Sequence, residues 1–119
     1  MVNFDLAGRH YVITGAAQGI GEACARRLAQ DGAAVALWDV DGARVQALAD
    51  ALQQSGTKVH AARVDVSNKA DIDAALASTL AAFGSLDGLV NNAGIFKAAP
   101  LLDITEADWD LVIDVNLKG

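Results

Sequence analysis

The chain has little of the material that marks special classes of protein. It carries a single cysteine, Cys24, so no internal disulfide can form, and Cys24 falls among the positions that a first helix would turn inward as ordinary core. One proline among 119 residues, with 53% of them hydrophobic, leaves no disordered or low-complexity stretch, and no internal repeat is visible. No apolar run approaches the ~18 residues of a membrane span. The start, Met1-Val2-Asn3-Phe4-Asp5, has neither the basic flank nor the apolar core of a signal peptide, so the expectation is a cytoplasmic protein with no membrane partner. Positive charge is scarce as well: 9 Lys and Arg against 15 Asp and Glu give a net charge of -6, with no basic stripe to neutralise phosphates, which argues against nucleic acid. The two histidines, His10 and His60, fall in strand-like runs, and no His, Cys, Asp or Glu cluster has ligand spacing, so no metal site is expected. What remains is one domain, 1–119, large enough to bury roughly 65% of its unfolded surface in a core.

What is there begins at residue 10. The apolar run His10-Tyr11-Val12-Ile13 feeds into Thr14-Gly15-Ala16-Ala17-Gln18-Gly19-Ile20-Gly21 and then into a helical pattern. Strand, glycine-rich turn and helix N-terminus in that order make a cradle for an anion. Glycines let the backbone turn tightly, and the free N–H groups of the first helical turn face whatever sits there. A pyrophosphate fits. The spacing is G-x-x-x-G-x-G, which a purely structural tight turn could also produce.

Beyond the turn, strand and helix periodicities alternate. Ile20, Ala23, Cys24 and Leu28 share one face of the first helix, which Asp31-Gly32 stops; Ala34 to Trp38 form a second strand ending at Asp39. Val45, Leu48, Ala49 and Leu52 mark a second helix, closed by Ser55-Gly56, and Val59 to Val66 a third strand. Ser67 is the expected N-cap of a third helix with Ile72, Ala75, Leu76, Leu80 and Phe83 on one side, stopped by Gly84. Leu86 to Val90 is a fourth strand running into Asn91-Asn92-Ala93-Gly94. Such alternation predicts an α/β fold of the Rossmann type, a doubly wound parallel sheet ordered 3-2-1-4 with helices on both faces.

In that architecture ligands bind outside the carboxyl ends of the strands, at the switch point between strands one and four. Four unusual signals fall there: the glycine turn, Asp39, Asp65-Val66 and Asn91-Asn92-Ala93-Gly94. Asp39 lies 18 residues beyond Gly21, where a dinucleotide-binding fold places the acid that accepts hydrogen bonds from the adenosine ribose. The plainer alternative is that Asp39 caps the next helix, a job Asp41 could do equally well.

Thr14-Gly15-x-x-x-Gly19-Ile20-Gly21, Asp39, Asp65-Val66, Asn91-Asn92-Ala93-Gly94 and the Asn116 of Asp114-Val115-Asn116-Leu117-Lys118-Gly119 together resemble the short-chain dehydrogenase/reductase family, in that family's order and over essentially the whole chain. The resemblance implies a cofactor site. Gly15, Ala17, Gln18, Gly19, Ile20 and Gly21 would surround the pyrophosphate, with Asp39 and Val40 at the adenosine ribose. Asp65 and Val66 would meet the adenine, and Asn92, Ala93 and Gly94 would line the adjoining ribose. The plainer role for the asparagines is to tie neighbouring strands together, and the expectation is that one asparagine does each job. A carboxylate at Asp39 repels the 2′-phosphate of NADP, and Gln18 stands where NADP-preferring relatives often carry Arg or Lys, which leaves Arg44 as the one near cation; NAD is the expected cofactor rather than NADP.

The family's chemistry uses a serine, a Tyr-x-x-x-Lys pair and an asparagine. Here the one tyrosine is Tyr11, in strand core with Gly15 four places on, so of that set only Asn116 is present. A last helix, opened by Thr105-Glu106-Ala107-Asp108, carries Trp109, Val112, Ile113 and Asn116 at helical spacing; Asn116 is then either a satisfied structural amide or, as the resemblance implies, part of a proton relay. The chain stops inside that helix. The expectation is the cofactor-binding part of an NAD-dependent oxidoreductase that moves a hydride between NAD and an alcohol/carbonyl pair, inactive by itself. A stand-alone dinucleotide-binding or regulatory module and a purely structural fragment are the alternatives. Ile95, Phe96 and the loop from Pro100 to Ile104 supply the rim of a substrate pocket too generic to name a substrate. An outermost fourth strand and the extra apolar residues Leu111 and Val115 lead to the expectation of a homo-oligomer.

Overall fold

The computed structural model describes residues 2–95 and 99–119. β1 (His10–Thr14), α1 (Gly19–Gln30), β2 (Ala34–Asp39), α2 (Gly42–Gln54), β3 (Val59–Arg63), α3 (Lys69–Phe83) and β4 (Gly88–Val90) follow in order. A 3-10 turn at Leu101–Asp103 then precedes α4 (Glu106–Ile113), whose end widens into a π-helical stretch over Asp114–Lys118. The sheet is parallel and ordered β3-β2-β1-β4, so the switch point lies between β1 and β4 and β4 is an outer strand.

Alternation along β1 and β2 divides the core in two. Ile13, Val35 and Leu37 pack under α1 and α2, against Ala25, Val45, Leu48, Ala49 and Leu52. Val12, Ala34, Ala36 and Trp38 pack on the other face under α3, against Ala75 and Phe83. Central strands covered on both sides must be apolar at every position, which is why β2 reads as an unbroken hydrophobic run. Trp38 is accommodated because its indole N–H donates to the Thr79 hydroxyl at 3.2 Å, so both polar groups are satisfied inside.

The second helix buries the four residues its periodicity marks. The first and third helices depart from expectation. In α1 the inward row is Gly21, Ala25 and Leu28, while Ala23 faces solvent, Ile20 is 75% exposed and Cys24 is only half-buried. The cause is Gly21. A methyl group there would strike the Gly15 carbonyl oxygen and lie 2.6 Å from the Asn92 amide nitrogen, so the helix approaches the sheet along its smallest residues and turns Ile20 outward. In α3 the N-cap is Asn68, whose side chain accepts from the Asp71 N–H at 3.2 Å, and not Ser67, which is bound to Asp65 instead. Its buried row is Ala75, Thr79 and Phe83; Leu76 and Leu80 are about two-fifths exposed, because the Thr79–Trp38 bond orients the helix.

Two strands are shorter than their apolar runs. β3 ends at Arg63, since the Asp65 N–H is taken by the Asp71 carboxylate at 3.0 Å and the chain turns away from β2. β4 spans Gly88–Val90, with Leu86 packed as a side chain against the α3-side core. Tyr11 is half-buried and packs against Gly88, where a Cβ would come within 2.7 Å of its ring. His10 stacks on Phe83 at 5.2 Å and His60 bonds Ser78 at 3.0 Å, so both act as structural strand residues.

Candidate functional site

A cleft of about 410 Å³ opens at the carboxyl ends of the strands. It is lined by Gly15, Gln18, Gly19 and Ile20 from the turn after β1, Asp39 and Val40 after β2, Val64, Asp65 and Val66 after β3, and Asn92, Ala93, Gly94 and Ile95 after β4. All four strand ends meet in one place because parallel strands share one direction and β4 adds beside β1. A second cleft, about 300 Å³, lies at the amino ends of the same strands around Arg9, Ala34 and Lys58, away from all four signals.

The turn leaves room and backbone donors open to the cleft. Gly15 and Gly19 both have positive φ, +65° and +59°. Gly15 is also pressed against Asn92 and Ala93, whereas nothing lies within 4 Å of where a Gly19 Cβ would point. Gln18, the α1 N-cap, makes no side-chain cap bond, so the N–H groups of the first turn have no side chain to satisfy them. A helix N-terminus in that state favours negative charge.

Asp39 is held from two sides. One carboxylate oxygen accepts from the Ala17 N–H at 3.0 Å and the other from the Asp41 N–H at 2.9 Å. Each oxygen keeps capacity for a further donor, so the group remains an acceptor with its orientation set. The capping alternative is decided as well: Asp41 caps α2, accepting from the Arg44 N–H at 3.0 Å, and Asp39 is left for the cleft. Asp65 takes both the hydroxyl and the backbone N–H of Ser67 on one oxygen, at 2.6 and 2.9 Å. These bonds outweigh the opposing effect of burial and, with a smaller contribution from Arg63, hold its carboxyl below the usual range.

Thr14 acquires a role that its place in the sequence does not announce. Its hydroxyl accepts from the N–H groups of Asn92 and Ala93, both at 3.0 Å, and joins the end of β1 to the end of β4 at the switch point. The Asn92 side chain completes the joint by donating to the Gly15 carbonyl at 3.1 Å, so this asparagine ties strands and lines the cleft at once. Asn116 lies in the π-helical stretch after α4 and bonds to the loop after β4. Its amide donates to the Ile95 carbonyl and accepts from the Ile95 N–H, both at 2.8 Å, a paired clamp. Of the apolar residues that precede it on α4, Val112 and Ile113 are half-buried and Trp109 is 60% exposed. Thr105 caps that helix as expected, accepting from the Asp108 N–H at 3.1 Å.

Eleven of the thirteen residues expected at the cofactor line the cleft. Ala17 and Gly21 do not: Ala17 is buried and gives its N–H to Asp39, and Gly21 is spent on helix packing. Val64 is a lining residue the sequence reading missed. It is buried at the end of an apolar alternation, and only its neighbour Asp65 signalled the place. Of the rim residues, Ile95 lines the cleft, Leu101 and Leu102 are almost fully exposed, and Phe96 lies outside the described residues. Among the described residues no three His, Cys, Asp or Glu side chains gather as a metal site, and no helix is long and apolar enough to cross a membrane.

A doubly wound parallel sheet with a glycine turn, an acid at the end of β2 and a cleft at the switch point defines the class of Rossmann-type dinucleotide-binding folds. The family is narrower. The short chain dehydrogenase family model matches residues 9–119, and the chain belongs to that family of oxidoreductases. Over 114 residues it is 45% identical to the (2S)-[(R)-hydroxy(phenyl)methyl]succinyl-CoA dehydrogenase subunit BbsD of Thauera aromatica, covering 96% of this chain and 46% of that protein. The crystal structure of a short chain dehydrogenase/reductase from Burkholderia phymatum in complex with NAD superposes with a TM-score of 0.91 at 38% identity, over 96% of this chain and 41% of that one. A metagenomic short-chain oxidoreductase in complex with NADP gives 0.88 at 39% identity, over 96% and 52%. The chain thus spans about half the length of the relatives it matches.

Proposed function

We propose that this chain is the cofactor-binding part, residues 1–119, of an NAD-dependent oxidoreductase acting on an alcohol/carbonyl pair. The observation that carries the reading is Asp39, freed from helix capping by Asp41 and fixed as an acceptor at the carboxyl end of β2. Gly15, Gln18, Gly19 and Ile20 hold the pyrophosphate, with Ala17 bracing Asp39 and Gly21 letting the helix approach. Asp39 and Val40 take the adenosine ribose, Asp65 and Val66 the adenine, and Asn92, Ala93 and Gly94 the second ribose. When bound, the nicotinamide supplies the hydride-transfer chemistry.

What the chain's own residues do is bind and orient. Asn116 is read as the asparagine of the family's proton relay, and its side chain, bonded to the Ile95 backbone, also holds the loop after β4 in place. The serine and Tyr-x-x-x-Lys would come from outside these residues, in keeping with the span of the relatives. Turnover by the 119-residue chain alone should be absent. Loss of general acid/base catalysis costs ~100-fold to 10,000-fold, and substrate positioning is lost with it. The chain works in the cytoplasm as a homo-oligomer, through β4 or α4.

Calorimetric titration of the intact chain with NAD and NADP tests the reading. NAD should bind and bind the tighter; tighter NADP overturns the assignment of Asp39. NADH production by material verified by mass to end at Gly119, with a panel of alcohols, would overturn the division of labour.

A further inference from the structure

The cleft of about 300 Å³ lies at the opposite end of the strands from the dinucleotide site, where β1, β2 and β3 begin. Register sets a row across it. His10 pairs with Ala34, and Lys58 precedes Val59, the partner of Val35, so Ala34 stands between His10 and Lys58 with Arg9 just before. The charge of this lining runs against that of the chain. There are 15 Asp and Glu to 9 Lys and Arg overall, yet among the described residues the charged groups that line the cleft are Arg9 and Lys58, with no carboxylate. Lys58 has no ion-pair partner among the described residues and stands over the Phe83 ring, 5.4 Å from its centre. Arg9 meets Asp87 at 3.6 Å with its side chain 61% exposed, a contact of the weak surface kind. The Ser55 and Thr57 hydroxyls of the same lining have no protein partner among the described residues.

Helices α1 and α2 end at this cleft, and their negative poles would ordinarily repel an anion. The turns consume those carbonyls. Leu28 and Ala29 accept from the N–H groups of Ala33 and Gly32 at 3.1 and 3.0 Å, and Leu52 and Gln53 from those of Thr57 and Gly56 at 3.1 and 2.9 Å. The nearest carboxylate on α1 is spent as well, since Asp31 is buried and bonded to Arg27 at 3.3 Å. We propose that this cleft is a second binding site, for a compact oxyanion with two or more negative charges, of the pyrophosphate kind. Arg9 and Lys58 supply the charge, the arginine through its fork, and the Ser55 and Thr57 hydroxyls donate to the remaining oxygens. Arg9 leaves Asp87 to do so. Asp87 keeps the His10 N–H at 2.8 Å, so the exchange orphans no backbone donor. The volume is at the small end of ligand pockets, which favours a compact anion over a whole nucleotide. This site stands independently of the dinucleotide reading.

The test is an amide NMR titration of the intact chain with inorganic pyrophosphate at low salt, because glycine signals report where the anion sits. Gly8, Gly32 and Gly56 line this cleft, whereas Gly15 and Gly19 line the other. Saturable shifts are expected at the first three and should persist with NAD in excess. Arg9→Ala and Lys58→Ala should each weaken the affinity read from those shifts about 2-fold to 5-fold, and Lys58→Glu by more. Lys58→Arg should preserve it. About 0.5 M salt should weaken it, because both cations are exposed and screened. Shifts confined to Gly15 and Gly19 would place the anion in the cofactor cleft alone and overturn the proposal. So would the absence of any saturable shift, or a response at Gly8, Gly32 and Gly56 that Lys58→Glu leaves unchanged. Thermal melts check folding of every variant; if Lys58→Glu melts early through loss of its Phe83 contact, Arg9→Ala, which leaves that contact in place, decides.

Discussion

Asp39→Ala separates binding from architecture because the carboxylate serves both. Removing it takes away the acceptor that the ribose hydroxyls need; hydrogen bonds to a charged group are worth about 1.5–3 kcal/mol, so NAD should weaken on the order of 10-fold to 150-fold. It also orphans two backbone donors that Asp39 holds at 3.0 and 2.9 Å. The Asp41 N–H lies at the surface and finds water. Ala17 is 4% exposed, and a buried N–H left without a partner costs about 1–3 kcal/mol. In a domain of this size that lowers Tm by about 4–12 °C. Asp39→Asn is the control, since an amide of the same shape can satisfy one donor and recover part of the stability, while its NH2 group cannot accept from the ribose. Calorimetry with NAD and a thermal melt on wild type and both variants are the assays. An Asp39→Ala chain with unchanged Tm and unchanged NAD affinity would refute the two-sided role. NADP should lose less than NAD in the same variant, since repulsion of its phosphate is relieved at the same time.

Gly21→Ala should be among the most damaging single changes, because the added methyl meets backbone at Gly15 and the Asn92 amide; overpacking of this kind costs about 1–3 kcal/mol or more, read by denaturant melts, and anion binding at the turn should fall with it. Asp65 carries a pH signature. Its carboxyl is held below its ordinary 3.8 by the Ser67 bonds first, then by Arg63, so it contributes stability above that value which is lost as pH falls through the lowered one. Ser67→Ala should therefore be slightly less stable than wild type at neutral pH, with the gap closing below about pH 4, as acid titration followed by circular dichroism would show. Leu111 is 42% exposed on α4, and sedimentation over a concentration series should show self-association that Leu111→Lys reduces; a monomer throughout would remove the basis for the oligomer.

Sheet order, the two-faced core and the location of the cleft are legible in the sequence. Strand and helix periods are local properties, and right-handed crossovers leave few ways to assemble them. The α2 face, Val45, Leu48, Ala49 and Leu52, came through intact because that helix packs on β2 and β3 without a special contact. The faces of α1 and α3 did not. Gly21 under the Gly15 carbonyl and Thr79 under Trp38 rotate those helices, and both are contacts between residues distant in sequence or hidden in a turn, which periodicity cannot see. The same division runs through the site. Glycines, Asp39, Asp65 and the Asn-Asn-Ala-Gly run announced themselves by residue type and position at strand ends. What each group does with its hydrogen bonds was decided only by folding: Asp41 and not Asp39 caps α2, Ala17 braces the carboxylate, Thr14 joins β1 to β4, and Asn116 spends its amide on Ile95. A local pattern specifies which groups are available, but partnership depends on distance and direction across the chain, and those exist only once the strands are side by side.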